Sequence, residues 1–576
     1  MKAHRTFRPH LERQRGAAAT LAAIWLIVAV AALGALDIGN LFFARRALQS
    51  VVDLAASAGT QSLSSSCARA TSAATGSALV NGFDANAAGN SLSVTCGRWD
   101  AQANAAPDHF STSGMPVNAV KVSAARMVPY FFVGPSRQVT ATAIARATDI
   151  GSFSIGTTLV SLGAGQLNSL LNALLGTSLN LNLVSYQGLA NAQVRVGDLV
   201  TAAGVGTVDQ LLGLQLSAGD IAKLMLKALQ TTSVVNANLS TAIGAMGAIV
   251  NANIPGNQTI ALGSKNGSPG LLSIALANTQ SALDATINPL EALLVSAEIA
   301  QAGKAAVILK PSIDLGLLGS VTLSVQIIEP PALAIGEAGQ DGNGNWRTQA
   351  STAQVRAVLD VSLVKLPNIP LIPLLSGQMI HLPLYVDAAS GTAWLASTQC
   401  AGPPLTRRSV IGVQGGIANV CVGDLTANAA FGACSVPATI LNVPGVASVS
   451  LAAALPATMP ASAAPNITFD GVSGNADDYQ TVPSAPGASL ANALSGLNKS
   501  LSGTLKISSP ILPTVLTDLL SGIVTGLLGG VVATLPQLLT GLDTVLLPVL
   551  QALGVQVGAS TIHDLSLTCG ESQLAY

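Results

Sequence analysis

The chain has 576 residues and a formal net charge of −1 at pH 7. Charged residues make up 9% of it, aromatic residues 3% and hydrophobic residues 49%, whereas a soluble globular protein carries about 25% charged residues. A nucleic-acid-binding protein needs a clustered basic face, so this balance argues against such a partner. The length is enough for roughly two to four structural units.

The first predicted element is a membrane span. Residues 17–36 are apolar except for Thr20; Trp25 lies inside this run and Asp37 follows it. At ~1.5 Å per residue, the run spans the ~30 Å of a bilayer's hydrocarbon core. We therefore predict a retained transmembrane helix.

The basic residues on either side of this span predict its orientation. The N-terminal arm carries five lysines and arginines, whereas Arg45 and Arg46 are the only ones at a comparable distance beyond the span. Cytoplasmic flanks carry the excess of such residues. We expect a single-pass protein of the bacterial inner membrane, with its N-terminus in the cytoplasm and its body in the periplasm.

Two kinds of N-terminal processing are alternatives to a retained anchor. Ala29-Val30-Ala31 has the pattern of a signal-peptide cleavage site, but it lies inside an apolar run longer than the usual ~7–15 residues. Gly16 stands where a prepilin peptidase would cut. Leu21, however, occupies the position at which prepilin-like sequences carry Glu.

The six cysteines are widely spaced, and none forms a CxxC pair or lies near enough to a histidine to suggest a zinc site. In an exported chain their even number favours disulfides, the alternative being buried free thiols. The sequence leaves the pairing open, with Cys67–Cys96 as the local choice. The cysteines are Cys67, Cys96, Cys400, Cys421, Cys434 and Cys569.

The residues after the span carry a family resemblance. Arg45-Arg46-Ala47-Leu48-Gln49 is followed by Asp53-Leu54-Ala55-Ala56. This order resembles the N-terminal segment of TadG-like proteins of the tight-adherence (Tad/Flp) pilus-assembly system. Apolar residues recur there at helical spacing, which predicts one face of a continuing helix. That face either pairs with a partner helix or packs on the protein's own body. The predicted anchor and partner-face residues are Trp25, Asp37, Arg45, Arg46, Leu48, Gln49 and Asp53.

The resemblance continues further along the chain. Residues 118–132 and 139–147 are similar to the strand pair that ends this family's N-terminal region, and Val120 and Val122 alternate with polar residues as in a half-buried strand. Residues 186–192 and 553–558 resemble the C-terminal domain of many TadG-like proteins.

The body is predicted to contain helices followed by strands. Leu167 to Leu175 keep helical spacing, and Ser217 precedes another helix. Residues 321–327, 352–361 and 381–386 alternate as strands of an antiparallel sheet with one apolar face, and Gly342-Asn343-Gly344-Asn345 is a turn signal.

These features predict an α+β protein with one N-terminal transmembrane helix, a periplasmic antiparallel sheet and Leu-rich helices. Residues 519–535 are apolar enough to suggest a second membrane span, although helices packed on the protein's body are favoured there. The predicted organisation is a basic arm (1–16), a transmembrane helix (17–36), a helix extending from the membrane (37–65), a small β-rich region (66–150), an α+β body (151–435), an Ala/Pro/Ser-rich linker (436–500), and Leu-rich helices with a terminal strand (501–576).

No motif for catalysis is recognisable. The sequence has no HExxH, G-x-S-x-G or P-loop pattern, and His381 is expected to be a surface residue. Asp341 begins a sequence like a calcium loop, but Trp346 and Thr352 stand where an EF-hand needs Gly and Glu, which favours a turn. We expect no enzyme activity, cofactor, metal ion or small-molecule substrate.

The sequence therefore predicts a membrane-anchored structural or assembly component of a tight-adherence pilus. Its expected partners are the lipid bilayer and, as the resemblance implies, other Tad/Flp proteins including pseudopilins. One alternative is an exported surface or secreted adhesin-like protein whose N-terminal segment is cleaved. Another is a hydrolase whose catalytic groups are scattered along the sequence.

Overall fold

The protein is described here from a computed structural model. The described residues are 14–63, 67–101, 103–132, 134–156, 163–234, 238–256, 258–264, 269–276, 278–314, 320–365, 379–400, 406–426, 429–445, 447–459, 465–475, 477–482, 505–508, 518, 521–522, 550, 553, 555 and 560–575. Residues 1–13 of the basic arm, most of the predicted second span at 519–535 and most of residues 553–558 therefore lie outside them.

Helices and strands both occur in quantity among these residues, which confirms the predicted α+β class. The α-helices are α1 (Gln14–Gln61), α2 (Cys67–Val80), α3 (Ala164–Leu175), α4 (Leu183–Ala190), α5 (Val196–Ala203), α6 (Val208–Leu212), α7 (Ala218–Thr231), α8 (Leu239–Asn251) and α9 (Pro289–Gln301). A 3-10 helix covers Thr279–Asp284.

The strands of the described residues are β1 (Asn90–Trp99), β2 (Phe110–Ser111), β3 (Ala119–Val128), β4 (Arg137–Arg146), β5 (Ile150–Ile155), β6 (Val194–Arg195), β7 (Gln215–Leu216), β8 (Ile260–Ala261), β9 (Leu272–Ala275), β10 (Thr286–Ile287), β11 (Val307–Asp314), β12 (Ser320–Glu329), β13 (Leu333–Gly336), β14 (Gln349–Ser351), β15 (Gln354–Lys365), β16 (Met379–Ala388), β17 (Thr392–Gln399), β18 (Arg408–Gln414), β19 (Ala418–Val422), β20 (Thr439–Val443), β21 (Ala447–Leu451), β22 (Leu455–Met459), β23 (Asn466–Phe469), β24 (Tyr479–Val482), β25 (Leu505–Ser508), β26 (Ser560–Thr568) and β27 (Gln573–Leu574).

The chain divides into two compact units. Unit 1 comprises residues 1–147 together with 571–576, and unit 2 comprises residues 148–570. Unit 2 is thus inserted in sequence between the body of unit 1 and its last strand, β27, which pairs with β4. The last residues, predicted as part of the Leu-rich region 501–576, thus belong to unit 1.

Unit 1 packs α1 and α2 against an antiparallel sheet. The strand order is β2-β1-β3-β4-β27, and β3 and β4 pair along their full length. Its core includes Val52 and Ala55 of α1 and Val120 of β3. The expected β-rich region also contains a helix, α2, because Ala70, Ala74 and Ala78 recur every four residues and are buried.

The helical part of unit 2 surrounds α9, which is buried on nearly all sides. Helices α3, α4 and α7 contact it, and the buried leucines of α3 follow the predicted helical spacing. The Ser217 side chain caps α7 by accepting a hydrogen bond from the Asp220 amide, as its sequence context predicted.

The strands of unit 2 form several sheets. The largest has the order β11-β12-β15-β16-β19-β22, with every neighbouring pair antiparallel. It includes the three strands predicted from alternation. A second sheet, β24-β26-β5-β13-β9, brings the end of unit 2 beside its first strand, because β26 pairs with β5.

The region predicted as a linker contributes strands wherever it is described. Between residues 436 and 482 the chain forms β20 to β24. Its prolines occupy positions that a sheet tolerates: Pro444 follows β20, Pro465 precedes β23, and Pro456 lies in β22, at the edge of the largest sheet. Proline lacks a ladder donor and is accepted at edges and strand ends, so proline content did not distinguish this region from a linker.

Candidate functional sites

The first candidate site is the N-terminal part of α1. Residues 16–32 are all exposed, and Trp25 is 70% exposed although it lies in a strongly apolar run. Within the described part of the chain, α1 is the one helix long and apolar enough to cross a membrane. Apolar side chains left uncovered over such a length indicate a surface that another apolar medium covers.

The C-terminal part of the same helix is packed inside unit 1. Leu48, Val52 and Ala55 are buried against the rest of the unit. Gln49 donates to the carboxylate of Asp53 at 2.8 Å and to the carbonyl of Thr142 at 3.1 Å. Of the two roles that the sequence left open for this face, the structure shows packing on the protein's own body.

The predicted partner face therefore divides into two sides. Leu48, Gln49 and Asp53 belong to the packed side, whereas Arg45 and Arg46 are exposed. Two further exposed residues, Phe42 and Phe43, lie just before the arginines on α1. We call Phe42, Phe43, Arg45 and Arg46 the outer patch of α1. Neither phenylalanine is among the anchor and partner-face residues predicted from the sequence.

Asp37, which ends the apolar run, is 2% exposed and holds a loop. One carboxylate oxygen accepts from the Phe131 amide at 2.7 Å, and the other accepts from the Phe132 amide at 3.2 Å. These residues belong to the loop that joins β3 to β4, and both phenyl rings remain exposed. The sequence predicts Asp37 as the end of the span, but gives no sign of its binding partner.

Unit 2 contains a buried cluster of titratable residues. The Nδ1 of His563 on β26 lies 2.6 Å from Oε1 of Glu291 on α9, and the Tyr479 ring stacks on the imidazole with centroids 4.0 Å apart. Burial raises the pKa of Asp564 to about 7 and raises that of Tyr479. Asp564 follows His563 on the same strand.

A small cavity adjoins this cluster, and its lining includes Ser154, Glu291 and Glu298. The Ser154 hydroxyl and one carboxylate oxygen of Glu298 are buried and have no hydrogen-bond partner among the described residues. Burial raises the pKa of Glu298 well above its usual value, because removal from water penalises the charged carboxylate.

The types of residue in this cluster invite comparison with a hydrolytic triad. Ser154 and His563 are paired across β5 and β26, and Glu291 binds the imidazole. The cavity measures ≈ 20 Å³, which is room for about one water molecule and none for a substrate. Serine, histidine and glutamate are all buried there. The geometry therefore fits a packing and hydrogen-bonding role.

The six cysteines form three disulfides: Cys67–Cys96 in unit 1, and Cys400–Cys569 and Cys421–Cys434 in unit 2. Asp149 lies near Cys400 and Cys569, a grouping that could suggest a metal site. The two sulfurs are bonded to each other and offer no thiolate. Asp149 instead accepts a hydrogen bond from the Gly570 amide.

Two other polar residues discussed in the sequence analysis, Asp341 and His381, interact with neighbouring residues of the fold. Asp341 accepts hydrogen bonds from the amides of Asn343 and Asn345, the geometry of a side-chain-stabilised turn. His381 is partly exposed on β16 and lies 3.3 Å from the carboxylate of Asp360 on β15.

Three protein-family models match parts of the chain. Residues 16–74 match the family described as Flp pilus-assembly TadE/G-like, and residues 58–145 match the one described as Tad-like Flp pilus-assembly. Residues 163–299, which include the segment 186–192, match a domain of unknown function (DUF8293). The chain matches no curated protein and no solved structure. The two N-terminal matches cover α1, α2 and the β1–β4 region of unit 1.

Proposed function

Because the chain is a TadG-like protein of the tight-adherence pilus-assembly system, we propose that it is a membrane-anchored component that acts through protein–protein contact. The observation that carries this proposal is the division of α1. Its first half is apolar and uncovered, whereas one face of its second half is buried in unit 1. One continuous helix then joins the bilayer to the folded body.

The proposed topology is a single pass through the inner membrane, with the basic arm in the cytoplasm and both units in the periplasm. The excess of lysine and arginine before the span supports this orientation. The disulfides support it independently, because such bonds form and persist in oxidising compartments such as the bacterial periplasm.

The proposed contact surface for other Tad/Flp components, pseudopilins among them, is the outer patch of α1. Phe43 is 76% exposed beside Phe42, and Arg45 and Arg46 follow on the next turn. Aromatic residues and arginine are the types most enriched at protein–protein contacts. This function requires no catalysis, small-molecule substrate or nucleic acid.

The topology is tested by fractionating cells that express the full chain with an epitope at each end and treating spheroplasts with protease. We expect the chain in the inner-membrane fraction, with the C-terminal epitope digested and the N-terminal one protected. A shortened, soluble or extracellular chain would instead favour the secreted adhesin-like alternative. Protection of both epitopes would show a second span and contradict the periplasmic location of the C-terminus.

The contact surface is tested by placing a photo-crosslinking phenylalanine analogue at Phe43. We expect adducts with other Tad components in cells that assemble pili. The matched control places the analogue at Val80, which is 86% exposed at the end of α2 in the same unit. Equal yields of the same adducts at both positions would contradict a specific contact at the outer patch.

A further inference from the structure

We propose that the loop joining β3 to β4 inserts Phe131 and Phe132 into the headgroup layer of the bilayer, beside the span of α1. The inference rests on the proposed anchoring of α1 and assigns a lipid-binding role to a different segment. The loop is a second membrane contact, separated from the anchor by about 90 residues of sequence but joined to it through Asp37.

The position of Asp37 determines where the loop lies. If residues 17–36 cross the hydrocarbon core, Asp37 is at the boundary between acyl chains and headgroups. Its two carboxylate oxygens bind consecutive amides of the loop. Charge-assisted hydrogen bonds of this kind are stronger than neutral ones, so they hold the loop tip at that depth.

The chemistry of the loop suits a lipid surface. Phe131 is 66% and Phe132 56% exposed, and their rings lie side by side with centroids 6.3 Å apart. Their amide N–H groups are already bonded to Asp37, so neither enters the membrane interface unsatisfied. Phenylalanine is among the residues that membrane-surface segments bury at the boundary of headgroups and acyl chains.

The charge around the loop favours lipid with anionic headgroups. Asp37 is the acidic residue that contacts the loop, and both of its carboxylate oxygens accept hydrogen bonds from loop amides. No aspartate or glutamate occurs between His109 and Thr148 in sequence, and Arg137 is exposed at the start of β4, directly after the loop. Basic residues next to a bilayer are attracted to anionic lipids. Continuity with the anchor and this charge together favour lipid over a protein partner at the loop tip.

The experiment reconstitutes the full chain in vesicles of phosphatidylethanolamine and phosphatidylglycerol, with a photo-crosslinking phenylalanine analogue in place of Phe131 or Phe132. The analogue replaces an exposed ring, so folding is preserved. The control position is Met115, which is 52% exposed and lies before β3, at the opposite end of that strand from the loop. At ~3.3 Å per residue, the strand separates the two positions by roughly 30 Å.

We expect a mass increase of one phospholipid at Phe131 or Phe132 and none at Met115. Asp37→Ala in the same labelled chain should cause loss of the lipid adduct. An adduct with a second copy of the chain instead of lipid would overturn the inference, as would a membrane-integrated chain with no adduct. If alkaline carbonate extracts the chain from the vesicles, α1 does not anchor it, and both the proposed function and this inference fail. This outcome differs from failure of the inference alone, in which the chain stays integrated in the membrane without a lipid adduct.

Discussion

Glu291 and His563 lie 272 residues apart in sequence, yet they form a buried hydrogen bond of 2.6 Å that joins α9 to β26. Both side chains are at most 5% exposed. The bond ties the helical part of unit 2 to its last strand. The energetic role of this pair is therefore stabilisation of a long-range contact within unit 2.

Removing the His563 side chain should lower the free energy of unfolding more than replacing the Glu291 carboxyl with a neutral amide. We expect His563→Ala to lower the free energy of unfolding by on the order of 3–5 kcal/mol, because it leaves the Glu291 carboxyl buried without the imidazole and creates a cavity. Glu291→Gln keeps an acceptor for the ring N–H and should cost about 1 kcal/mol. Denaturant unfolding of the detergent-solubilised full chain measures both; equal losses would contradict the hydrogen bond's role.

Asp564 should make unfolding depend on pH between about 4 and 7. Burial raises its pKa to about 7 in the folded protein, against about 3.9 in an unfolded chain. Across this window the unfolded chain loses the proton and the folded protein retains it. The contribution of Asp564 to the free energy of unfolding is thus fully present below pH ~4. It falls by up to about 4 kcal/mol as the pH rises towards 7.

The control for this pH dependence is Asp564→Asn, which keeps the side chain's shape and removes its titration. Because the pKa of Asp478 is also raised by burial, the variant should retain part of the slope. The quantity to compare is the difference between the thermal unfolding profiles of the two proteins from pH 4 to pH 8. A difference that does not change with pH would contradict a raised pKa at Asp564.

Features encoded locally could be predicted from the sequence. The alternation of residues 321–327 lies within β12, and the capping residue Ser217 begins α7. The family resemblance, drawn first from residues 45–56, is confirmed by the matches to Tad pilus-assembly families. Each of these signals occupies a few turns or one strand, so no knowledge of distant contacts was needed.

Features that depend on distant residues could not be predicted in this way. Neither His563 nor Glu291 has a neighbour in sequence that signals their pairing. Asp37 binds a loop 94 residues away, although it looked only like the end of an apolar run. The strands between residues 436 and 482 were hidden by proline content, because a proline at a strand's edge and one in a linker look alike in composition.

The disulfides should differ in their contribution to stability according to the loops they close. Cys400 and Cys569 are 169 residues apart and Cys421 and Cys434 are 13 apart. In the chain-entropy model, the first constrains the unfolded chain by about 5 kcal/mol and the second by about 3 kcal/mol. Paired Cys→Ser variants measured by unfolding in detergent test this order. A larger loss for the Cys421–Cys434 pair would contradict it.

Arg356 and Asp387 form a buried bidentate ion pair between β15 and β16, with N–O distances of 2.6 and 2.8 Å. The guanidinium also donates to the carbonyls of Ala429 and Ala430, and Asp387 accepts from the Gly432 amide, so the pair holds the segment before Cys434. The hydrogen bond from Asp387 raises the pKa of Arg356.

Breaking this ion pair should lower the free energy of unfolding, and the geometry of the pair should contribute to stability as much as its charge. We expect Arg356→Met to lower the free energy of unfolding by about 3–5 kcal/mol, because Asp387 is left buried and unpaired. Arg356→Lys keeps the charge but cannot make two parallel bonds, so it should recover only part of this loss. The double variant Arg356→Met/Asp387→Leu removes both charges and should be more stable than Arg356→Met alone. If it is less stable than Arg356→Met, the buried carboxylate is not the source of the loss.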